Sequence, residues 1–199
     1  MARSKTRQHC TGNHKSQLRI IGGRWRSRKL EFTAAEGLRP TGDRMRETLF
    51  NWLAPMINEA NCADLFAGSG ALGLEALSRG AQHVDFIDNS ATAISQINEH
   101  LATLEATGLA TCHLESAKGY LTRDAKALDI VFIDPPFHCG LVLPTCLQLQ
   151  ASELLAPDAL IYIETPAQET LAELSSHWNI HREKITGGVA CRLYTTGAA

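Results

Sequence analysis

Cys62-Ala63-Asp64-Leu65-Phe66-Ala67-Gly68-Ser69-Gly70-Ala71-Leu72-Gly73 reads as a strand ending at Phe66, a glycine-rich turn, and a helix over Leu72 to Ser78 carried by Leu74, Ala76 and Leu77. Gly68 and Gly70 let the backbone take positive φ and come close to a ligand, while Gly73 lets the helix pack tightly on its strand. Many nucleotide-binding folds share such a turn, so alone it is a weak signal. The next strand sharpens it. Val84-Asp85-Phe86-Ile87 closes on Asp88, an acid about 20 residues past the glycines, where a carboxylate accepts from both hydroxyls of a ribose.

Downstream the alternation continues. The spacing predicts a helix over Ala91 to Leu104 through Ile94, Ile97, Leu101 and Leu104, a short strand Ala110 to Leu114, and a helix from Ala117 to Ala127. After the strand that reaches Asp134 come an apolar helix around Leu141 to Leu155 and a strand over Ala159 to Glu164. Strands this uniformly apolar, alternating with helices, make a parallel sheet covered on both faces. The end of the chain breaks the pattern: Trp178 to Ile185 and Val189 to Tyr194, joined at Thr186-Gly187-Gly188, read as an antiparallel hairpin closing the sheet. Ligands in open α/β sheets bind at the carboxyl ends of strands, where Gly68, Asp88 and Asp134 all fall.

Asp129-Ile130-Val131-Phe132-Ile133-Asp134-Pro135-Pro136-Phe137 is the other informative run. Each proline fixes its own φ and lacks a backbone donor, and Pro135 forces Asp134 to be extended. The turn is therefore stiff. A carboxylate, free carbonyls and a flat ring held together suit a planar amine, while the competing reading is an ordinary proline turn after a buried strand.

The apolar fraction is 44% and the charged fraction 20% in 199 residues, as in a globular protein of one domain. No apolar run spans a bilayer and the polar, basic N-terminus lacks a signal peptide's apolar segment, so a cytoplasmic location without a membrane partner is expected. Six cysteines are scattered without a C-x-x-C pair, and His177 and His181 have no third ligand nearby in sequence, so no metal is expected. The net charge of −2 hides an asymmetry: residues 1–29 hold nine Lys or Arg and no acid, and the other 170 carry ten basic and twenty-one acidic groups, a balance of −11. A basic arm on an acidic body points to a polyanion met from one side, with nucleic acid the obvious candidate.

Within that arm, residues 1–16 read as a flexible basic tail and residues 17–36 as a β-hairpin, Leu18 to Ile21 pairing through Gly22-Gly23 with an extended run through Trp25, Arg26, Arg28, Leu30 and Phe32. Residues 37–199 form the main domain. Thr41 or Asp43 can cap a helix whose buried face holds Met45, Leu49, Trp52 and Leu53. Arg39, Arg44 and Arg46 crowd its start, where the helix dipole disfavours cations; they point to an anion, or else to ion pairs with Asp43 and Glu47.

Together, Arg19-Ile20-Ile21-Gly22-Gly23, Leu38-Arg39-Pro40-Thr41, Arg44 to Asn51 and Asp64 to Ala76, with the Asp134-Pro135-Pro136-Phe137 loop, resemble the bacterial 16S ribosomal RNA guanine-N2 methyltransferases of the RsmD family, over about Leu18 to Tyr194. Class I methyltransferases in general share the glycine and proline motifs, but not Arg39-Pro40-Thr41. The resemblance implies a Rossmann-like α/β fold with a seven-stranded, mainly parallel sheet and S-adenosylmethionine as cofactor. It implies cofactor contacts at Asp64, Phe66, Ala67, Gly68, Ser69, Gly70, Asp88, Asn89, Ser116, Ala117 and Asp134, and catalytic roles for Asp134, Pro135 and Phe137. The adenine contact departs from the family pattern: in Glu115-Ser116-Ala117 either Ser116 with the Ala117 backbone or Glu115 serves. Arg24, Arg26, Arg28, Lys29, Arg39, Thr41, Arg44 and Arg46 would meet 16S rRNA, in an assembling or assembled small subunit, and a monomer is expected. Two other readings are weighed: a DNA adenine-N6 or protein glutamine-N5 methyltransferase, disfavoured by the basic arm and by the lack of a base-reading domain, and a binding module without transfer activity.

Overall fold

Short apolar runs rich in β-branched residues form a seven-stranded sheet in this computed structural model, which describes residues 15–33, 42–123, 127–137, 139–174 and 178–197. The tail through residue 14, Arg39 and Thr41 lie outside the described residues. Strands β3 (Asn61–Asp64), β4 (His83–Asp88), β5 (Ala110–Leu114), β6 (Leu128–Ile133) and β7 (Leu155–Pro166) are parallel, and β8 (Asn179–Thr186) and β9 (Val189–Thr195) are the antiparallel hairpin, in the order β5-β4-β3-β6-β7-β9-β8. The chain winds outward from β3 to β5 and returns to β6 on the other side. β3 and β6 therefore flank the point where the strand order reverses, and a crevice opens there.

Successive side chains alternate between the two faces of the sheet. Phe86, Ile130, Phe132, Tyr162 and Leu193 pack against α1 (Asp43–Leu53), α2 (Ala71–Ser78) and α3 (Ala91–Thr103). Val131, Ile133, Ile161, Ile163 and Tyr194 pack against α4 (Ala117–Tyr120) and α5 (Val142–Ala151). Fully burying such side chains contributes about 1.5–3 kcal/mol each, so this two-sided core dominates stability.

Several elements differ from the sequence expectation: β3 ends at Asp64 instead of Phe66, and β7 runs from Leu155 to Pro166 instead of Ala159 to Glu164. Helix α4 stops at Tyr120, where Thr122 Oγ1 donates to the Gly119 carbonyl (2.7 Å) and closes the last turn. Helix α5 stops at Ala151: Ser152 Oγ donates to the Leu149 carbonyl (2.8 Å), and the Leu128 N–H takes the Leu154 carbonyl (2.7 Å) as β7 begins. The N-terminal hairpin pairs β1 (Lys15–Arg19) with β2 (Lys29–Thr33), so its second strand starts at Lys29 instead of Trp25. Between the strands Gly23–Trp25 form a 3-10 turn, with φ of +74° at Gly23 and +69° at Ser27.

The hairpin is fastened to α2 by one carboxylate. Glu75, fully buried, accepts from the N–H groups of Ile21 and Gly22 and from Arg79 Nε, all at 2.8 Å. Ser78 Oγ adds a bond to the Gly22 carbonyl (2.6 Å) and accepts from the Trp25 N–H (3.1 Å). Gly23 lies against the Ser78 carbonyl, where any side chain would collide with backbone. Ile20-Ile21-Gly22-Gly23 is thus a docking segment.

Candidate active site

The glycine turn is stitched in place by its own backbone. The Ala67 N–H donates to the Ile87 carbonyl (2.9 Å) and the Gly70 N–H to the Ala67 carbonyl (2.7 Å), with φ of +52° at Gly68 and +77° at Gly70. Asp88 Oδ2 accepts from the Gly68 N–H and Oδ1 from the Ser90 N–H, each at 2.8 Å. Each carboxylate oxygen has a further lone pair, so Asp88 holds the turn and can still accept from a ligand hydroxyl. Asn89 beside it is exposed, Ser69 and Phe66 are half-buried, and Ala67 is buried. Asp64 lies beneath, 2% exposed, accepting from the Gly73 N–H at 3.1 Å. Burial pushes its pKa up to about 7, and the charge of Asp88 adds to the shift against the N–H groups of Gly73 and Phe66.

Beyond β5, Ser116 caps α4, its Oγ accepting from the Gly119 N–H at 3.2 Å, and Ala117 is buried behind it. Glu115 pairs with Arg123 at 2.9 Å. That pairing draws the Glu115 carboxylate to the arginine and leaves the exposed Ser116 at the rim. Three side chains not singled out from the sequence support this edge. Asp85 accepts from Tyr120 Oη (2.7 Å) and meets His113 Nε2 (3.1 Å), tying α4 to β4 and β5.

The proline loop emerges next to the glycine turn. The Leu65 N–H donates to the Phe132 carbonyl at 3.1 Å, extending the β3–β6 pairing up to the loops that follow each strand. Asp134 is half-buried, Pro135 buried and Pro136 exposed, and the Phe137 ring is 39% exposed, a large apolar face turned to solvent. Ile133 pairs with Ile163 in β7, so the next residues along, Asp134 just past β6 and Glu164 within β7, lie on neighbouring strands. Glu164 is 5% exposed and accepts from Tyr162 Oη at 2.7 Å.

The basic residues divide. Arg24, Arg26, Arg28 and Lys29 are exposed around the hairpin turn, with the Arg24 guanidinium 3.8 Å from the Trp25 ring centre. That turn contacts the end of α2 remote from Gly70, about 12 Å along an eight-residue helix at 1.5 Å per residue. Arg44 is exposed on the first turn of α1. Arg46 does not fit a surface role: it is 1% exposed, and its Nη2 donates to the Arg19 carbonyl (2.8 Å) and to Asp43 Oδ1 (2.7 Å). It faces β1 from one turn into α1 and joins the hairpin to that helix, leaving no surface for a phosphate.

A cavity of about 630 Å³ lined by Leu147, Ser152, Leu155 and Trp178 opens at the start of β7, the opposite end of the sheet from Asp134, and none of its lining residues is charged. Among the described residues no group of three or more His, Cys, Asp and Glu could hold a metal ion, and no helix is long and apolar enough to cross a membrane.

Comparison with known proteins agrees with this geometry. The family described as conserved hypothetical protein 95 matches residues 18–195. The chain belongs to that family. The ribosomal RNA small subunit methyltransferase D of Escherichia coli K12 is 49% identical over 178 residues, covering 89% of each chain. Its counterpart of the same name in Haemophilus influenzae is 44% identical over 187 residues, covering 92% of this chain and 96% of its own. The solved Escherichia coli yhhF structure is 48% identical with a TM-score of 0.84, over 92% of this chain and all of its own. The chain is a methyltransferase of the class I fold, with the Asp88 and Asp134 loops at the strand ends where that fold binds ligands.

Proposed function

We propose that this methyltransferase transfers a methyl group from S-adenosylmethionine to the exocyclic N2 amine of a guanine in 16S rRNA, acting as a monomer on an assembling or assembled small ribosomal subunit. The observation that carries this reading is the adjacency of two loops at the switch point: the glycine turn latched by Asp88, and Asp134-Pro135-Pro136-Phe137, joined through the Leu65–Phe132 hydrogen bond. The names of the relatives supply the RNA.

The residues fit the cofactor chemically. Asp88 is an acceptor-only group beside backbone at positive φ, suited to ribose hydroxyls, and the Ser116–Ala117 edge lies one strand further out, suited to an adenine. S-adenosylmethionine supplies a methyl group already activated by a sulfonium. The protein's task is then alignment of the amine. Guanine N2 is a poor nucleophile because its lone pair is delocalised into the ring. Hydrogen bonds from its two N–H groups to the Asp134 carboxylate and the Pro135 carbonyl favour the rehybridised amine and the positive charge that develops on it. Phe137 offers its exposed ring to the base, which leaves its loop to enter. The exposed Arg24, Arg26, Arg28, Lys29 and Arg44 take phosphates, and Arg46 acts through the hairpin it holds.

Incubation with labelled S-adenosylmethionine and small subunits, naked 16S rRNA or DNA tests the reading. Label in a guanine of the rRNA is expected, and Asp134→Ala should abolish it. No label in any RNA would overturn the substrate, and full activity of Asp134→Ala would overturn the mechanism.

A further inference from the structure

The C-terminal hairpin sorts its charges by face. Across the β8–β9 ladder Arg182 pairs with Leu193, Glu183 with Arg192 and Lys184 with Cys191. Leu193 and Cys191 belong to the core under α1, so Arg182 and Lys184 stand on that face of the sheet. Glu183 points to the other face, where Arg192 Nε donates to it at 2.7 Å. Lys184 is also level with the proline loop. Lys184, Cys191 and Glu164 are paired in one row across β8, β9 and β7, and Asp134, one residue past the Ile133–Ile163 pair, continues that row. Three strand spacings of about 4.8 Å set Lys184 about 14 Å from Asp134. The Cys191 thiol in the row feels both charges: burial and Glu164 push its pKa up to about 12, Asp134 adds to the shift and Lys184 opposes it.

Helix α1 brings a second cation to this level. Lys184 Nζ donates to Thr48 Oγ1 at 3.0 Å, and Thr48 Oγ1 donates in turn to the Arg44 carbonyl at 2.9 Å. From Thr48 the chain runs on through Leu53 and enters β3 at Asn61, the far end of the sheet. Arg44, about 6 Å of helix before Thr48, therefore lies towards the strand ends that carry Asp134. Arg44, Arg182 and Lys184 are all exposed. The bond that Lys184 makes to Thr48 is to a neutral hydroxyl, and an ammonium has three N–H groups to donate. A compact ammonium beside a guanidinium, level with the loop that receives the base, suits phosphates of the same strand.

We propose that Lys184 is a phosphate-binding residue for the RNA strand that flanks the target base, so that the C-terminal hairpin contacts the substrate beside Arg44, separately from the arginines of the N-terminal hairpin turn. This rests on the RNA reading above. Binding of naked 16S rRNA by the full chain, measured between about 50 and 200 mM salt, tests it in wild type, Lys184→Ala, Lys184→Arg and Lys118→Ala. Lys118 is an exposed cation on α4, at the other edge of the sheet, and controls for the loss of one charge anywhere on the protein. Each phosphate contact contributes about 0.7–0.9 to the slope of log affinity against log salt. Lys184→Ala should lose about that much, so its deficit against wild type should shrink about three-fold over this fourfold rise in salt. Lys184→Arg should keep the wild-type slope, as should Lys118→Ala, and thermal unfolding checks that the variants fold. A wild-type slope and affinity in Lys184→Ala, or an equal loss in Lys118→Ala, would overturn the inference. Failure of the wild type to bind the RNA, or binding that salt does not weaken, would instead remove the reading on which it rests.

Discussion

Replacing Glu75 tests how the arm is held. Its carboxylate is fully buried and accepts three hydrogen bonds at 2.8 Å, from the Ile21 and Gly22 N–H groups and from Arg79 Nε. Hydrogen bonds to a charged group contribute about 1.5–3 kcal/mol each, but undocking of the hairpin would return some donors to water. Arg79 is 18% exposed and can recover part of its hydration. Glu75→Ala should therefore cost about 3–5 kcal/mol, and Glu75→Gln, which keeps one acceptor oxygen, about half as much. Urea unfolding gives the magnitude, and amide exchange at Ile21 and Gly22 gives the location. Both amides should lose protection well before the core strands β3 and β6. A loss below about 1 kcal/mol in Glu75→Ala, with both amides still protected, would refute the view that this carboxylate fastens the hairpin.

Asp64 should make stability fall with rising pH. Its folded pKa of about 7 lies above the ordinary value of 3.8, so between those values the native state keeps a proton the unfolded chain has lost. Stability from this group is complete below about pH 4 and is lost as pH rises to about 7. Asp64→Asn should remove that slope, and identical pH slopes from pH 4.5 to 6.5 in the two proteins would refute it. Gly73→Ala puts a methyl into the Phe86 ring. It should cost about 1–3 kcal/mol by overpacking, whereas Gly108→Ala, facing open space, should be nearly neutral in the same thermal unfolding assay.

Much of the sheet was legible because its strands are short apolar runs closed by turn residues, and β5 in particular falls where the pattern puts it, at Ala110–Leu114. Helix ends were less so. Thr122 and Ser152 end α4 and α5 through side-chain bonds to backbone, which apolar spacing does not report. The acids at the tips of β4 and β6 stood out because each closes an apolar strand. Glu164 closes its strand as the sequence reads it, whereas in the structure β7 runs on to Pro166. Glu75 also left a trace, the one charged residue in Ala-Leu-Gly-Leu-Glu-Ala-Leu-Ser. Its backbone partners Ile21 and Gly22, more than fifty residues away in sequence, did not. Arg46 shows the converse: a long cation reads as surface until the fold supplies a carbonyl and Asp43 to receive it.

The clasp also sets an order on synthesis. The hairpin is made before residues 75 to 79, and a lone two-stranded ribbon is marginal in water. Leu18, Ile20, Leu30 and Phe32, each at most 4% exposed in the finished protein, must wait unburied while some forty further residues are added. A chain that ends before α2 thus carries these apolar side chains without the clasp that buries them. The hairpin can be clasped only once the residues through Arg79 have followed it.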